Sequence, residues 1–430
     1  VLHIKAKHML VSTLRLSTAL VLAGAVIGLR PAWAGTPAES AIYNFAGGND
    51  GGFPHAGLIA SRAGNALYGT TSSDGTGHNG VIFKVTPPAA GQTTWTQTVL
   101  YAFSGGNDGG IPYASLLEDA SGALYGTTEA GGASGQGVVF KLSPPASGKT
   151  AWTQTVLHSF SGGNDGGEPW SPLIADASGN LYGTATIGGS GVVGCVWKLT
   201  APAAGHSAWS ETVLYNFTGN ADGGEPFGRV VFGPHGTLLG TSAGYGQYNY
   251  GTLYALTPPA GTGSSWRFHL LHAYHGGADG STPRDGLIAS PSGTFYGTTA
   301  GLDNSYGSVF SVAETAGGTG FSYKVLYNFG GPGFTGSGPW QTVSLDAAGN
   351  LYGTTLGDGG SADGVAFKLT PPAAGSSRWR ETVLHAFQGG SDGQFLYSKP
   401  VVVGTTLYGT SEGEGSQAGF FPGTVWQITQ

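Results

Sequence analysis

Beyond residue 40 the chain alternates short apolar runs with glycine-, proline- and aspartate-rich punctuation, and the runs recur in a fixed order of four. Between residues 113 and 160 they are Tyr113–Glu118, Ala123–Thr128, Gly137–Ser143 and Trp152–Phe160. Each run is too short for a helix and is rich in the branched and aromatic residues that favour buried strands. Asp119-Ala120-Ser121-Gly122 supplies a tight hairpin turn after the first run. A glycine-rich loop, Glu129–Gln136, follows the second, and Pro144-Pro145 ends the third because proline cannot donate to a ladder.

The second run carries a signature that recurs seven times. It reads Leu67-Tyr68-Gly69-Thr70, Leu124-Tyr125-Gly126-Thr127, Leu181-Tyr182-Gly183-Thr184, Leu238-Leu239-Gly240-Thr241, Phe295-Tyr296-Gly297-Thr298, Leu351-Tyr352-Gly353-Thr354 and Leu407-Tyr408-Gly409-Thr410. The spacing is 57 residues four times and then 56 twice. Four short antiparallel strands at such a period predict an all-β chain folded as a seven-bladed β-propeller. Ala41–Phe45 reads like the fourth strand Val213–Phe217 but precedes any complete repeat, and the last repeat ends on Val425–Ile428, a third strand. The N-terminal strand is therefore expected to complete the last blade, which removes exposed sheet edges.

The run Gly179-Asn180-Leu181-Tyr182-Gly183-Thr184, followed by a glycine loop and then a segment such as Gly364-Val365-Ala366-Phe367-Lys368-Leu369-Thr370, resembles the GloVer tandem repeat of secreted bacterial proteins. The resemblance covers nearly everything after residue 40. It implies the repeat fold and export, and it brings no reaction with it.

Residues 1–34 have a different pattern. Lys5, Lys7 and Arg15 precede a nearly unbroken apolar run, Leu16–Leu29, and Pro31-Ala32-Trp33-Ala34 ends in an Ala-x-Ala cleavage pattern. This is the layout of a secretory signal peptide, too short to span a bilayer. The expected organisation is a signal at 1–34 and one propeller domain at 35–430, secreted and without later membrane insertion. Without the signal, 13 basic residues face 24 acidic ones, a net charge of −11. An acidic chain with no basic cluster is a poor match for nucleic acid. The single cysteine, Cys195, replaces a strand valine and is expected to be buried, and no intramolecular disulfide can form. Eighty glycines and only 10% charged residues fit many strands joined by tight turns.

Catalytic signatures are scarce. Gly240-Thr241-Ser242-Ala243-Gly244 and Gly409-Thr410-Ser411-Glu412-Gly413 fit Gly-x-Ser-x-Gly, but both fall on the repeated motif and lack the helix a nucleophile elbow requires. No catalytic residue, metal site or cofactor is assigned. Six of the seven turns after a fourth strand carry an aspartate, Asp50, Asp108, Asp165, Asp222, Asp279 and Asp392, and Gly330–Gly338 has none; turn chemistry is favoured over calcium ligation.

One position varies while its surroundings repeat. Just past that turn, at the start of the first strand, stand His55, Tyr113, Trp170, Phe227, Arg284, Trp340 and Tyr397. In a propeller these should face one mouth of the central channel. The aromatic faces suit sugar rings and Arg284 suits a carboxylate, while the competing reading is that they plug the channel as core. Loops bearing Tyr245, Gln247, Tyr248, Asn249 and Tyr250, Asp303, Asn304 and Tyr306, and Glu412, Glu414, Phe420 and Phe421 should open on the same face, with Asp74, His78, Asp358 and Asp363 nearby.

The expected function is non-catalytic binding, by an exported monomer, of a carbohydrate or other extracellular ligand at the channel mouth, with an extracellular or envelope glycan as the first candidate. Two alternatives stay open: a polysaccharide lyase or glycosidase using His55, Arg284 and carboxylates of that face, and a protein-interaction scaffold.

Overall fold

The glycine of the repeated motif stands directly across the ladder from an aromatic side chain of the third strand, and that pairing sets the packing of each blade. Gly69 pairs with Phe83, Gly126 with Phe140, Gly183 with Trp197, Gly240 with Tyr254, Gly297 with Phe310, Gly353 with Phe367 and Gly409 with Trp426. All seven rings are fully buried. A Cβ on Gly126 would lie 2.6 Å from Phe140, and one on Gly183 would lie 2.5 Å from Trp197. Each ring lies against bare backbone, and burying it contributes roughly 1.5–3 kcal/mol.

In the computed structural model residues 37–430 are described, except 261–264, 302–304, 319, 331–335, 358–362 and 414–421. The expected signal segment falls outside these residues, as do Asp303, Asn304, Asp358, Glu414, Phe420 and Phe421 of the loops named above. The described strands form seven four-stranded antiparallel sheets arranged as a ring, a seven-bladed β-propeller. Six blades take their strands consecutively. The seventh joins Val401–Val403, Thr406–Ser411 and Thr424–Thr429 to the N-terminal strand Ala38–Asn44, which pairs antiparallel with Thr424–Thr429 and closes the ring.

The threonine of the motif binds each blade to the next. Its hydroxyl donates to a carbonyl on the innermost segment of the following blade: Thr70 to Pro112 (3.1 Å), Thr127 to Ser171 (3.2 Å) and Thr184 to Gly228 (3.2 Å). Thr241 donates to Asp285 (3.2 Å), Thr298 to Gln341 (3.0 Å) and Thr354 to Ser398 (2.9 Å), and Thr410 returns to Ala56 at 3.1 Å. The innermost strands are shorter than the sequence predicts. In blade 2 only Leu117–Glu118 joins the ladder, while residues 113–116 run beside the channel. Strands crowd toward the axis, and there the threonine hydroxyls of the preceding blade take up carbonyls that a ladder would otherwise hold.

The motif tyrosines and the tryptophans that open the outermost strands pack between blades. Trp152 meets Tyr68 of the preceding blade at 6.4 Å, Trp95 meets Tyr408 at 5.8 Å and Trp379 meets Tyr296 at 6.3 Å. Cys195 is fully buried, and burial raises its thiol well above the ordinary range. Ser242 and Ser411, the serines of the two Gly-x-Ser-x-Gly matches, are also fully buried and share hydrogen bonds with Thr252 and Thr424.

Candidate functional site

The chain enters each blade through a residue in the left-handed region. Phe53, Ile111, Glu168, Glu225, Thr282 and Phe395 have φ between 49° and 57°, and only blade 6 uses glycine there, Gly338 at 65°. For non-glycine residues this conformation costs about 1–2 kcal/mol each. Backbone bonds on both sides offset it. The N–H of Glu225 donates to Val193 O of the preceding blade (2.8 Å), and its carbonyl accepts from Phe227 N (2.9 Å) and Ala243 N (3.1 Å). The turn thus ties the entry of one blade to the loop of its predecessor and to its own loop after the second strand. It also aims the residue two positions on at the axis.

Those residues are the seven predicted at the channel mouth, and the structure brings them into one closed circle. His55 meets Tyr113 edge-on (4.8 Å), Tyr113 stacks on Trp170 (4.5 Å, 28°), and Trp170 meets Phe227 edge-on at 5.3 Å. The Arg284 guanidinium lies 5.1 Å from Phe227 and 4.0 Å from Trp340. Trp340 meets Tyr397 edge-on at 5.5 Å, and Tyr397 stacks on His55 (4.9 Å, 13°). His55 is buried at 9% exposure, and the other six are partly exposed. The cavity that six of them line, all but Tyr397, shared with Asp285 and Gln341, holds about 30 Å³, room for a water molecule. The ring therefore closes the channel and presents its partly exposed side chains as a platform.

Electrostatics divides the ring. Burial, reinforced by the charge of Arg284, pushes His55 down to about 4, so it enters as a neutral aromatic ring. Arg284 has no hydrogen bond or ion pair with the described residues, and its Nε is buried without a partner. Two aromatic faces hold it instead, a cation–π arrangement. Around the ring stand carboxylates, of which the sequence pattern places only Glu412 on this face. Glu412 is pushed up to about 7 by burial, and Glu129 is raised by burial and by the charge of Glu168. Glu225 is the acidic group closest in effect to Arg284.

Below the ring the channel holds charges that the sequence reading missed. Asp285 is buried and accepts from the backbone N–H of Gly286 (2.8 Å) and of Thr342 (3.1 Å). Lys399 is pushed down to about 7 by burial and by the charge of Arg229, with Asp285 acting the other way. Arg229 and Lys399 sit two residues past the ring position in blades 4 and 7, where blades 1, 2 and 3 carry Gly57, Ser115 and Pro172. That departure was the available signal.

The turn aspartates act as turn formers. Asp108 accepts from Ser104 N (2.9 Å) and from the hydroxyl of Tyr101 (2.9 Å), and Asp222 accepts likewise from Thr218 N and Tyr215. Of the loop residues expected on the mouth face, His78, Tyr245, Gln247, Tyr248, Asn249 and Tyr306 are exposed.

The fold and the closed ring define a seven-bladed propeller whose inner strands converge on a plugged, aromatic-lined mouth. The chain belongs to the Gloeobacter/Verrucomicrobia repeat family, whose pattern matches residues 22–219 and 175–425. No curated protein matches the sequence. Among solved structures it is similar to a puromycin-hydrolysing peptidase of Mycobacterium tuberculosis, at 12% identity over 88% of this chain and 50% of that one, with a TM-score of 0.50. The chain thus spans half the length of the peptidase. It is also similar to a candidate 6-phosphogluconolactonase of Bacteroides uniformis, at 13% identity over 82% of this chain and 88% of that one, with a TM-score of 0.50. At these identities the likeness concerns the propeller fold alone. Among the described residues no helix is long and apolar enough to cross a membrane.

Proposed function

We propose that this is an exported binding propeller that holds an extracellular or envelope glycan against the channel mouth without chemical turnover. One observation carries the reading: seven side chains of five types meet in an unbroken circle that includes a guanidinium with no carboxylate partner among the described residues. A plug needs only volume, which apolar side chains supply without the cost of placing a cation. An aromatic platform that includes a guanidinium suits sugar rings that stack and a uronate or similar acid that pairs. The small cavity implies that the ligand lies across the ring and does not thread the channel. Export is the reading of the N-terminal pattern of residues 1–34.

Titrating the protein with acidic and neutral oligosaccharides while following tryptophan emission tests this, because Trp170 and Trp340 are in the ring. A saturable change with uronate-containing sugars, lost in Arg284→Gln, is expected. Saturation by no sugar, or a response indifferent to that change, overturns the reading. Glycoside cleavage is the second reading, and Glu412 favours it: a carboxyl held protonated toward neutral pH is what a general acid needs. Release of reducing ends that disappears in Glu412→Gln would establish cleavage in place of simple binding.

A further inference from the structure

The turns after the outermost strands repeat one design, and one of them departs from it. Seven residues before each turn aspartate stands Tyr43, Tyr101, His158, Tyr215, His272 or His385, and four before it stands Ala46, Ser104, Ser161, Thr218, His275 or Gln388. Most turns thus offer the aspartate a phenol or imidazole and, at best, a hydroxyl. The turn from blade 4 to blade 5 offers two imidazoles, in the spacing His272-x2-His275-x3-Asp279.

The two rings converge on one carboxylate. His272 Nε2 lies 2.9 and 3.0 Å from the Asp279 oxygens, and His275 Nδ1 lies 2.9 Å from Oδ2. One donor atom from each of the three residues falls within 4.8 Å of the others. The rings are also fixed in advance. His272 stacks on Tyr323 at 3.9 Å and 11°, and His275 lies against Tyr248 at 4.2 Å. The Tyr323 hydroxyl donates to the Asp279 carbonyl at 2.9 Å, which anchors the turn itself. The His275 side chain is 54% exposed, so further coordination positions open to solvent.

We propose that His272, His275 and Asp279 form a site for a divalent transition-metal ion of the zinc class. Two imidazole nitrogens and one carboxylate oxygen suit zinc, nickel or copper better than calcium, which takes six or more oxygens. Solvent or a ligand group completes the coordination. The site lies apart from the seven-residue ring and does not depend on the glycan reading. A second cluster, Glu39, His385 and Asp392, offers a single imidazole and is the weaker set.

Zinc titration of the untagged protein by calorimetry tests the site, with cobalt absorption as the second readout. The repeat supplies its own controls: His275→Ser installs the residue found at Ser104 and Ser161, and His272→Tyr installs that of Tyr101 and Tyr215. One tight equivalent is expected for the parent. Each variant should weaken it by at least the roughly 10–100-fold that loss of an outer-shell partner alone costs. Thermal melts of the metal-free variants matching the parent would show that the turn survives. Absence of a tight equivalent, or an equivalent unchanged in both variants, overturns the proposal.

Discussion

Two positions in every blade face the neighbouring blade or the axis, and they follow opposite rules. The motif threonine is the same residue seven times and makes the same inter-blade bond seven times. The ring position holds five residue types among its seven sites, with a cation and an imidazole among them. Within one chain, a position set by packing repeats because its surroundings repeat. A position that diverges on an unchanged backbone is free of that demand and is available for recognition. The comparison separates scaffold from candidate site without reference to any other sequence.

Changes on the scaffold side should cost the most. Gly126→Ala places a Cβ against the Phe140 ring and is expected to destabilise by about 3 kcal/mol, read from denaturant melts. Thr127→Val removes a buried hydroxyl and leaves the Ser171 carbonyl without its partner, for about 1–2 kcal/mol by the same measurement. A loss under about 0.5 kcal/mol for Thr127→Val would mean that the ring of hydroxyl bonds is not what joins the blades.

A smaller effect sharpens the comparison through pH. Burial and the nearby charge of Asp165 raise Glu211 to about 7. The folded state therefore favours its protonated form, and the resulting stabilisation is complete below the unfolded value near 4.5 and lost as pH rises through about 7. After allowance for solvent screening the loss is about 1 kcal/mol. The melting temperature should fall between pH 5 and 8 and flatten in Glu211→Gln. An unchanged slope in that variant would move the effect to other groups. On the site side, Arg284→Gln should cost only about 0.5 kcal/mol of stability, since among the described residues the cation has no ion pair to lose.

Much of the scaffold was legible because it is written seven times. The spacing of Leu-Tyr-Gly-Thr predicted the blade count, and the unmatched strand Ala41–Phe45 predicted the closure that its pairing with the last strand displays. The threonine bonds were not legible. Their acceptors are backbone carbonyls 42–44 residues ahead, or 354 residues back for Thr410, and carbonyls carry no residue signature. The membership of the ring was legible from divergence within a repeat, but its closure was not, because ring-to-ring distances depend on the taper of the channel. The left-handed entry residues left no trace either. That conformation usually selects glycine, yet Phe53, Ile111 and Thr282 hold it because backbone bonds to two loops impose it. Arg229 and Lys399 were visible as letters, and only the fold shows that they share the channel with Asp285.

The most direct test sets the ring against the rim of the same face. Trp170→Ala/Trp340→Ala and Tyr245→Ala/Tyr248→Ala variants would be passed, beside the parent, over a panel of immobilised polysaccharides. Selective retention of the parent and of the Tyr245/Tyr248 variant, with loss in the Trp170/Trp340 variant, is the predicted result. Retention that survives loss of the ring tryptophans, or that disappears with the rim tyrosines alone, would contradict a binding site at the channel mouth.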